Sequence, residues 1–315
     1  MNTNREQDVL TFSACGALFF ALLALIWGVL AKSQMIMFDG VYSFISLVMT
    51  GMYFYAAKSI AAGRDENFPF GKSQLEPMVI VVQSVILLVI CTRAFTSATV
   101  SLFSSGQETN SLSGMAYAFI GVVGCFACWS YIARTGRMKA PGSELLKTQA
   151  SQWRMDTLLS FAVLVGFFIG YLIQRAGYGH YSPYVDPLMV MIAVLFFVRE
   201  PLVSLIRGIR GMLIMAPEKE IYGLSKKAVL EIARKAGFDD AVVRLARSGR
   251  ELIYEVYFVA KDPESSYSVG RMDDIRNEVA SRLHEIFDNP LWLNVSFAHY
   301  RSSTYIKGEE WTVPG

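Results

Sequence analysis

Two carboxylates, Asp39 and Asp156, stand inside long apolar stretches of this 315-residue chain. An ionisable group is costly to hold in hydrocarbon, so each marks a function by default. If the stretch around Asp39 is helical, Tyr42, Ser43, Ser46 and Thr50 share its face, at the three- and four-residue spacing of helix neighbours. Gln152 stands one turn before Asp156. Carboxylate, amide and hydroxyl oxygens gathered in this way suit a hard or borderline cation. The plainer reading is an Asp that bonds a neighbouring helix and binds nothing, and it weighs more on Asp39 than on Asp156. Depth separates the two. At 1.5 Å per residue Asp156 lies about 26 Å from the far end of its helix, and Asp39 about 10 Å from the matching end of its own. On straight helices they would not meet directly, and Ser46 matches the depth of Asp156 better.

The elements that must carry these residues are membrane spans. Hydrophobic residues make up 53% of the chain and charged residues 18%, and mean hydropathy is +0.36. That excludes a disordered chain and a coiled coil. Nearly all the apolar content precedes residue 215, in runs long enough to cross a bilayer. Six are expected: Val9 to Ala31, Ser33 to Ala57, Pro77 to Phe103, Ser111 to Ala133, Ser143 to Ile173 with a polar first half, and Asp186 to about Ile206. The first reads as a retained span, because Met1 to Asp8 lacks a positive balance and no small-residue cleavage site follows. Basic residues collect in alternate loops: Lys58, Arg64 and Lys72, then Arg134, Arg137, Lys139 and Lys147, then Arg207 and Arg210. The opposite side holds only Lys32 and Arg175 near span ends. The bias puts both termini in the cytoplasm. Compact loops and no targeting segment point to a multi-pass protein of a bacterial inner membrane.

The chain from 216 to 315 reads differently. Residues 1–215 carry 15 Lys+Arg and 11 Asp+Glu, whereas 216–315 carry 14 and 16, too little positive charge to suggest nucleic acid as a partner. Helical periodicity runs from Ser225 to Ala236 and stops at Gly237. Val242 to Leu245 and Leu252 to Val259 alternate as strands around a Ser248-Gly249-Arg250 turn. Met272 to Phe287 puts Ile275, Val279, Leu283 and Ile286 on one face, and Leu291 to Phe297 alternates again. The order α-β-β-α-β predicts an open α+β sandwich of the ferredoxin-like kind. The expected organisation is a six-helix membrane domain over 1–215 and a cytoplasmic ferredoxin-like domain over 216–315.

Other reactive residues read as structural. Cys15, Cys91, Cys125 and Cys128 all sit in apolar runs and are expected as free thiols, the Cys125-x-x-Cys128 pair as packing residues. His180 lies among Tyr178, Tyr181 and Tyr184, the composition of an interfacial aromatic belt. Arg93, within the third span, either snorkels or pairs with a carboxylate such as Asp39, which would withdraw that Asp from a cation. The sequence holds no Ser/His/Asp set, no HExxH and no phosphate loop, so an enzyme is not expected.

Several motifs, in order and on the right spans, resemble those of the cation diffusion facilitator family of metal transporters. The loop motif His-Pro-Tyr/Phe-Gly-His-Gly-x-x-Glu-Pro falls on Phe68 to Pro77, the sixth-helix Asp-Pro on Asp186-Pro187, and the fifth-helix ligand pattern on Gln152 to Asp156. The second-helix pattern falls on Ser33, Asp39, Tyr42 and Ser46. The resemblance implies proton-coupled efflux of a divalent cation from the cytoplasm, a homodimer joined through the tail, and a transport site at Tyr42, Ser46, Gln152 and Asp156. Of these only Asp156 keeps a family ligand type, and Asp39, one turn outward of Tyr42, could add a second charge. Such a site suits zinc poorly and leans towards iron(II) or manganese, carried as substrate rather than held as a cofactor. Phe68 and Lys72 replace the loop histidines, so the auxiliary metal site of some members is not expected, and His284 and His299 are too few for a regulatory zinc cluster in the tail. The loss of three ligand types also fits a non-transporting relative, a partner or scaffold for an active paralogue.

Overall fold

The computed structural model describes residues 3–63, 65–139, 144–217, 219–249, 251–262, 266–287 and 291–300, with the backbone alone over 3–8, 10, 136–139 and 144–148. Five long helices come first: α1 (Thr3–Leu30), α2 (Gln34–Ala61), α3 (Leu75–Phe103), α4 (Ser111–Lys139) and α5 (Glu144–Arg175). A 3-10 helix over Gly179–Tyr184 leads into α6 (Val185–Phe197) and α7 (Arg199–Met212). Among the described residues six stretches are long and apolar enough to cross a membrane. Large side chains such as Phe54, Phe103 and Phe196 stand exposed on them, as a lipid-facing surface requires. The sixth stretch departs from one continuous helix. Pro201 has no N–H to give the Phe197 carbonyl, and the helix breaks at Val198 between α6 and α7.

The helices that carry the two carboxylates are set by close approaches. α1 and α2 cross where Gly28 and Gly40 face each other's backbone: a Cβ on Gly40 would lie 2.8 Å from the Leu25 nitrogen, and one on Gly28 2.8 Å from that of Met37. Gly40→Val should therefore push the helices apart beside Asp39. Overpacking of this kind costs about 1–3 kcal/mol, and a lowered thermal midpoint in detergent would register it. α4 and α5 pair along their length, with Ser111 against Gly170, Gly114 against Phe167 and Gly121 against Ser160. Trp153 and Ile132 fill a small core with Cys125 and Cys128, and Ile36, Ala98, Phe167 and Val190 belong to a larger one.

The tail follows the expected order: α8 (Lys219–Ala236), β1 (Asp240–Ser248), β2 (Glu251–Val259), α9 (Val269–Ile286) and β3 (Leu291–Ala298). β1 pairs antiparallel with β2, and β2 parallel with β3, so β2 is the middle strand. Leu252, Tyr254, Val256 and Phe258 of β2 are buried against Val229 and Ile232 of α8 and Ile275, Val279 and Leu283 of α9. At the hairpin, Gly249 takes φ +57°, and Arg250 lies outside the described residues.

The chain divides into two compact units. One runs to Tyr55 and resumes over Val82–Leu205. The other joins Ala56–Val81 to the chain from Ile206 onward. Within this second unit, the loop between α2 and α3 is folded about Asp65. Its carboxylate accepts from the backbone N–H groups of Asn67 (3.0 Å) and Phe68 (2.9 Å) and pairs with Lys72 at 2.6 Å. The Lys72 hydrogen bond and the backbone donors hold the Asp65 carboxyl below its usual range. The ion pair is therefore complete above the ordinary value of 3.8 and is lost as pH falls through the lower folded value. Lys72→Gln should raise the Asp65 titration towards 3.8, read by carboxyl carbon NMR. The loop continues onto the tail: Gln74 Nε2 donates to Ser248 Oγ at 2.9 Å, Ser73 Oγ to Glu251 Oε2 at 3.1 Å, and the Phe70 and Trp292 rings lie 5.6 Å apart.

Candidate cation site

Asp39 is half-buried on α2, and its Oδ2 accepts a hydrogen bond from the Tyr117 hydroxyl of α4 at 2.9 Å. Tyr117 is 8% exposed. Its ring lies 6.4 Å from that of Trp27, whose indole N–H reaches the Ser113 carbonyl (3.1 Å) and hydroxyl (3.0 Å) one turn earlier on α4. Asp39 is thus bound to a neighbouring helix, through Tyr117. Arg93 stands exposed on α3, and no ion pair joins it to Asp39 among the described residues.

Asp156 is half-buried on α5, one turn after Trp153. The Trp153 indole donates to Ser13 Oγ at 2.8 Å, and Ser13 Oγ donates to Gln149 Oε1 at 2.8 Å, which fixes this stretch of α5 against α1. Across from it on α4, Cys125 is hydrogen-bonded to Ser160 and feels the charges of both Asp156 and Asp39. The two carboxylates also act on each other electrostatically. Depth counted from helix ends predicts no direct contact between them, and among the described residues no hydrogen bond joins them. The register trims the count without closing the gap: Gly170 faces Ser111, the first residue of α4, so α5 runs about 7.5 Å past the start of α4, and with Gly121 facing Ser160 the level of Asp156 is that of Cys125, about 12 Å along α4 from Tyr117, the partner of Asp39. Sequence reasoning overlooked Tyr117 and Ser160 and gave Cys125 a packing role alone. The signal was a stripe on α4, Tyr117, Gly121 and Cys125 at intervals of four, which is one helix face.

The other three positions make contacts of their own. The Tyr42 ring packs 5.2 Å from Phe197 and 5.9 Å from Phe38, with Cys91 and Glu200 as its electrostatic neighbours. Ser46 is half-buried and its carbonyl accepts from Thr50 Oγ1 at 2.9 Å. Gln152 is exposed. Among the described residues no hydrogen bond joins these three to either carboxylate, and no three His, Cys, Asp or Glu side chains cluster as metal ligands.

A third carboxylate has a different use. Asp186, 1% exposed at the start of α6, accepts from Ser33 Oγ at 2.6 Å, the Gln34 N–H at 2.7 Å and the Met35 N–H at 3.4 Å. Ser33 Oγ in turn accepts from the Ile36 N–H at 3.1 Å. These are the orphan donors of the first turn of α2, where the helix dipole also favours negative charge. The Asp-Pro pair therefore anchors the helix that carries Asp39.

Six apolar spans, intramembrane carboxylates and a small mixed three-stranded tail describe a multi-pass membrane protein of the transport class. The family model of the cation efflux transmembrane domain matches residues 10–213, more than half of the chain. The chain belongs to this family of metal cation efflux transporters, the cation diffusion facilitators whose motifs it resembles. None of the curated proteins compared with the chain matches it.

Proposed function

We propose that the protein exports a divalent cation from the cytoplasm in exchange for protons, with Asp156 as the principal cation ligand and Asp39 as a second charge. The observation that carries this reading is the presence of two half-buried carboxylates, Asp39 on α2 and Asp156 on α5, within the apolar bundle and in electrostatic range of each other and of Cys125 on α4. Two negative charges in a low-dielectric bundle attract a divalent ion strongly when it is bare of water. A carboxylate can hold either a proton or a cation, and exchange of one for the other needs such a group within the bundle. The polar first half of α5 lines the cytoplasmic approach, and rocking of the bundle alternates access. Oxygen ligands favour iron(II) or manganese over zinc. Tyr42, Ser46 and Gln152 join the ion only in a conformation that turns them towards the carboxylates. The lipid bilayer is the setting, an inner membrane with both termini in the cytoplasm. Residues 1–215 form the transport domain, and 216–315 join two copies into a homodimer.

The test is flux into inverted proteoliposomes, with and without a proton gradient, against a panel of divalent ions. Gradient-dependent uptake of one ion is the expected result. One observation favours a second reading: the Tyr42 ring packs on Phe197, and among the described residues no hydrogen bond joins Tyr42 or Gln152 to Asp156. A scaffold that pairs with an active paralogue would fold and dimerise yet carry no ion in any condition of the panel, and that outcome would replace the transport reading.

A further inference from the structure

The hydrogen bond from Tyr117 to Asp39 limits what that carboxylate can offer an ion. Tyr117 is held on both sides, by burial in the bundle and by Trp27, whose indole N–H pins the preceding turn of α4 at Ser113. Its hydroxyl hydrogen has one acceptor, Asp39 Oδ2 at 2.9 Å. Among the described residues the other oxygen, Oδ1, accepts no hydrogen bond. Asp39 thus has one oxygen hydrogen-bonded and one without a hydrogen bond among the described residues. Gly121, one turn further along α4, leaves room for Ser160 rather than for a second donor to Asp39: a Cβ there would lie 3.1 Å from Ser160 Oγ.

Denticity separates cations by size. Calcium takes six to eight oxygens and commonly grips a carboxylate through both of its oxygens. Smaller divalent ions complete a shell of about six from single oxygens. We infer that Tyr117 is a positioning residue that holds Asp39 to one free oxygen and thereby discriminates against large cations such as calcium. The inference rests on the cation-site reading above and adds a determinant of specificity from a third helix. Tyr117 touches the carboxylate and not the ion. Its removal acts through Asp39 or not at all.

The experiment titrates full-length protein in nanodiscs with Mn²⁺, free Mn²⁺ being followed by electron paramagnetic resonance, and displaces the bound ion with Ca²⁺. In Tyr117→Phe the Ca²⁺ concentration for half-displacement should fall about tenfold. In the Asp39→Asn background the same substitution should change nothing further, as a double-mutant cycle demands of a residue that works through its partner. If Tyr117→Phe does not fold, Trp27→Phe tests the same idea, because it frees the turn that carries Tyr117; it should shift Ca²⁺ displacement in the same direction by a smaller factor. Asp156→Ala is the control for the site. Mn²⁺ binding that Asp156→Ala removes, with Ca²⁺ displacement unaltered in Tyr117→Phe, overturns this inference alone. An equal Tyr117→Phe effect with and without Asp39 also overturns it, leaving a merely structural tyrosine. Absence of Mn²⁺ binding by the wild-type protein, or binding that survives Asp156→Ala, overturns the reading of the site and the inference with it.

Discussion

Asp156→Ala is expected to lower cation flux in proteoliposomes at least a hundredfold, to the level of empty vesicles, while the protein still folds. Asp156 supplies charge in a part of the bundle where Cys125, Ser160 and Trp153 otherwise offer only neutral groups. Asp156→Asn should lose as much, since the amide keeps the shape and loses both the charge and the proton. Asp39→Asn should lose less, about tenfold, which corresponds to about 1.4 kcal/mol. Its engaged oxygen already serves Tyr117, and its electrostatic influence reaches Asp156 from a neighbouring helix. Equal losses at the two positions would show a symmetric pair rather than a principal ligand with an auxiliary charge. Full flux in Asp156→Ala would remove the site altogether.

The second large effect falls on stability. Asp186→Ala strips α2 of three acceptor contacts at once, from the Ser33 hydroxyl and from the backbone of Gln34 and Met35. Hydrogen bonds to charged groups are worth about 1.5–3 kcal/mol each, and donors left buried without a partner add a desolvation cost. A loss of about 3 kcal/mol or more is expected, read as a lower thermal midpoint in detergent and a poor yield of monodisperse protein. Asp186→Asn should recover part of it, because its amide oxygen can still accept one of these bonds. Ser33→Ala should cost less than Asp186→Ala, as loss of an N-cap usually costs about 1 kcal/mol. Should Asp186→Ala prove as stable as the wild type but fail to carry ions, the residue would belong to the transport cycle and not to the scaffold.

Much of the architecture was legible because its signals are local. Long uncharged runs report spans, and alternation in 242–259 reports strands. In the tail, Ile275, Val279 and Leu283 fall on the core side of α9 as their spacing requires. The site was legible only in part. Asp39 and Asp156 announce themselves because charge is rare in hydrocarbon, and that rule needs no knowledge of which helices touch. Tyr117 and Ser160 do not, because an aromatic or a serine in a span is ordinary until the opposite helix is known. The packing of Tyr42 was hidden for a related reason. A shared face on α2 says which residues are neighbours on that helix, but Phe197 on α6 claims the Tyr42 ring.

The loop between α2 and α3 belongs with the tail rather than with the helices it connects. Gln74 and Ser73 meet the hairpin at Ser248 and Glu251, and Phe70 meets Trp292. The natural unit of exchange between relatives is therefore discontinuous in sequence. A chimera that swaps in a foreign tail after residue 213 leaves the 65–77 loop facing a surface it was not shaped for. A chimera that moves the loop and the tail together keeps the matched pair.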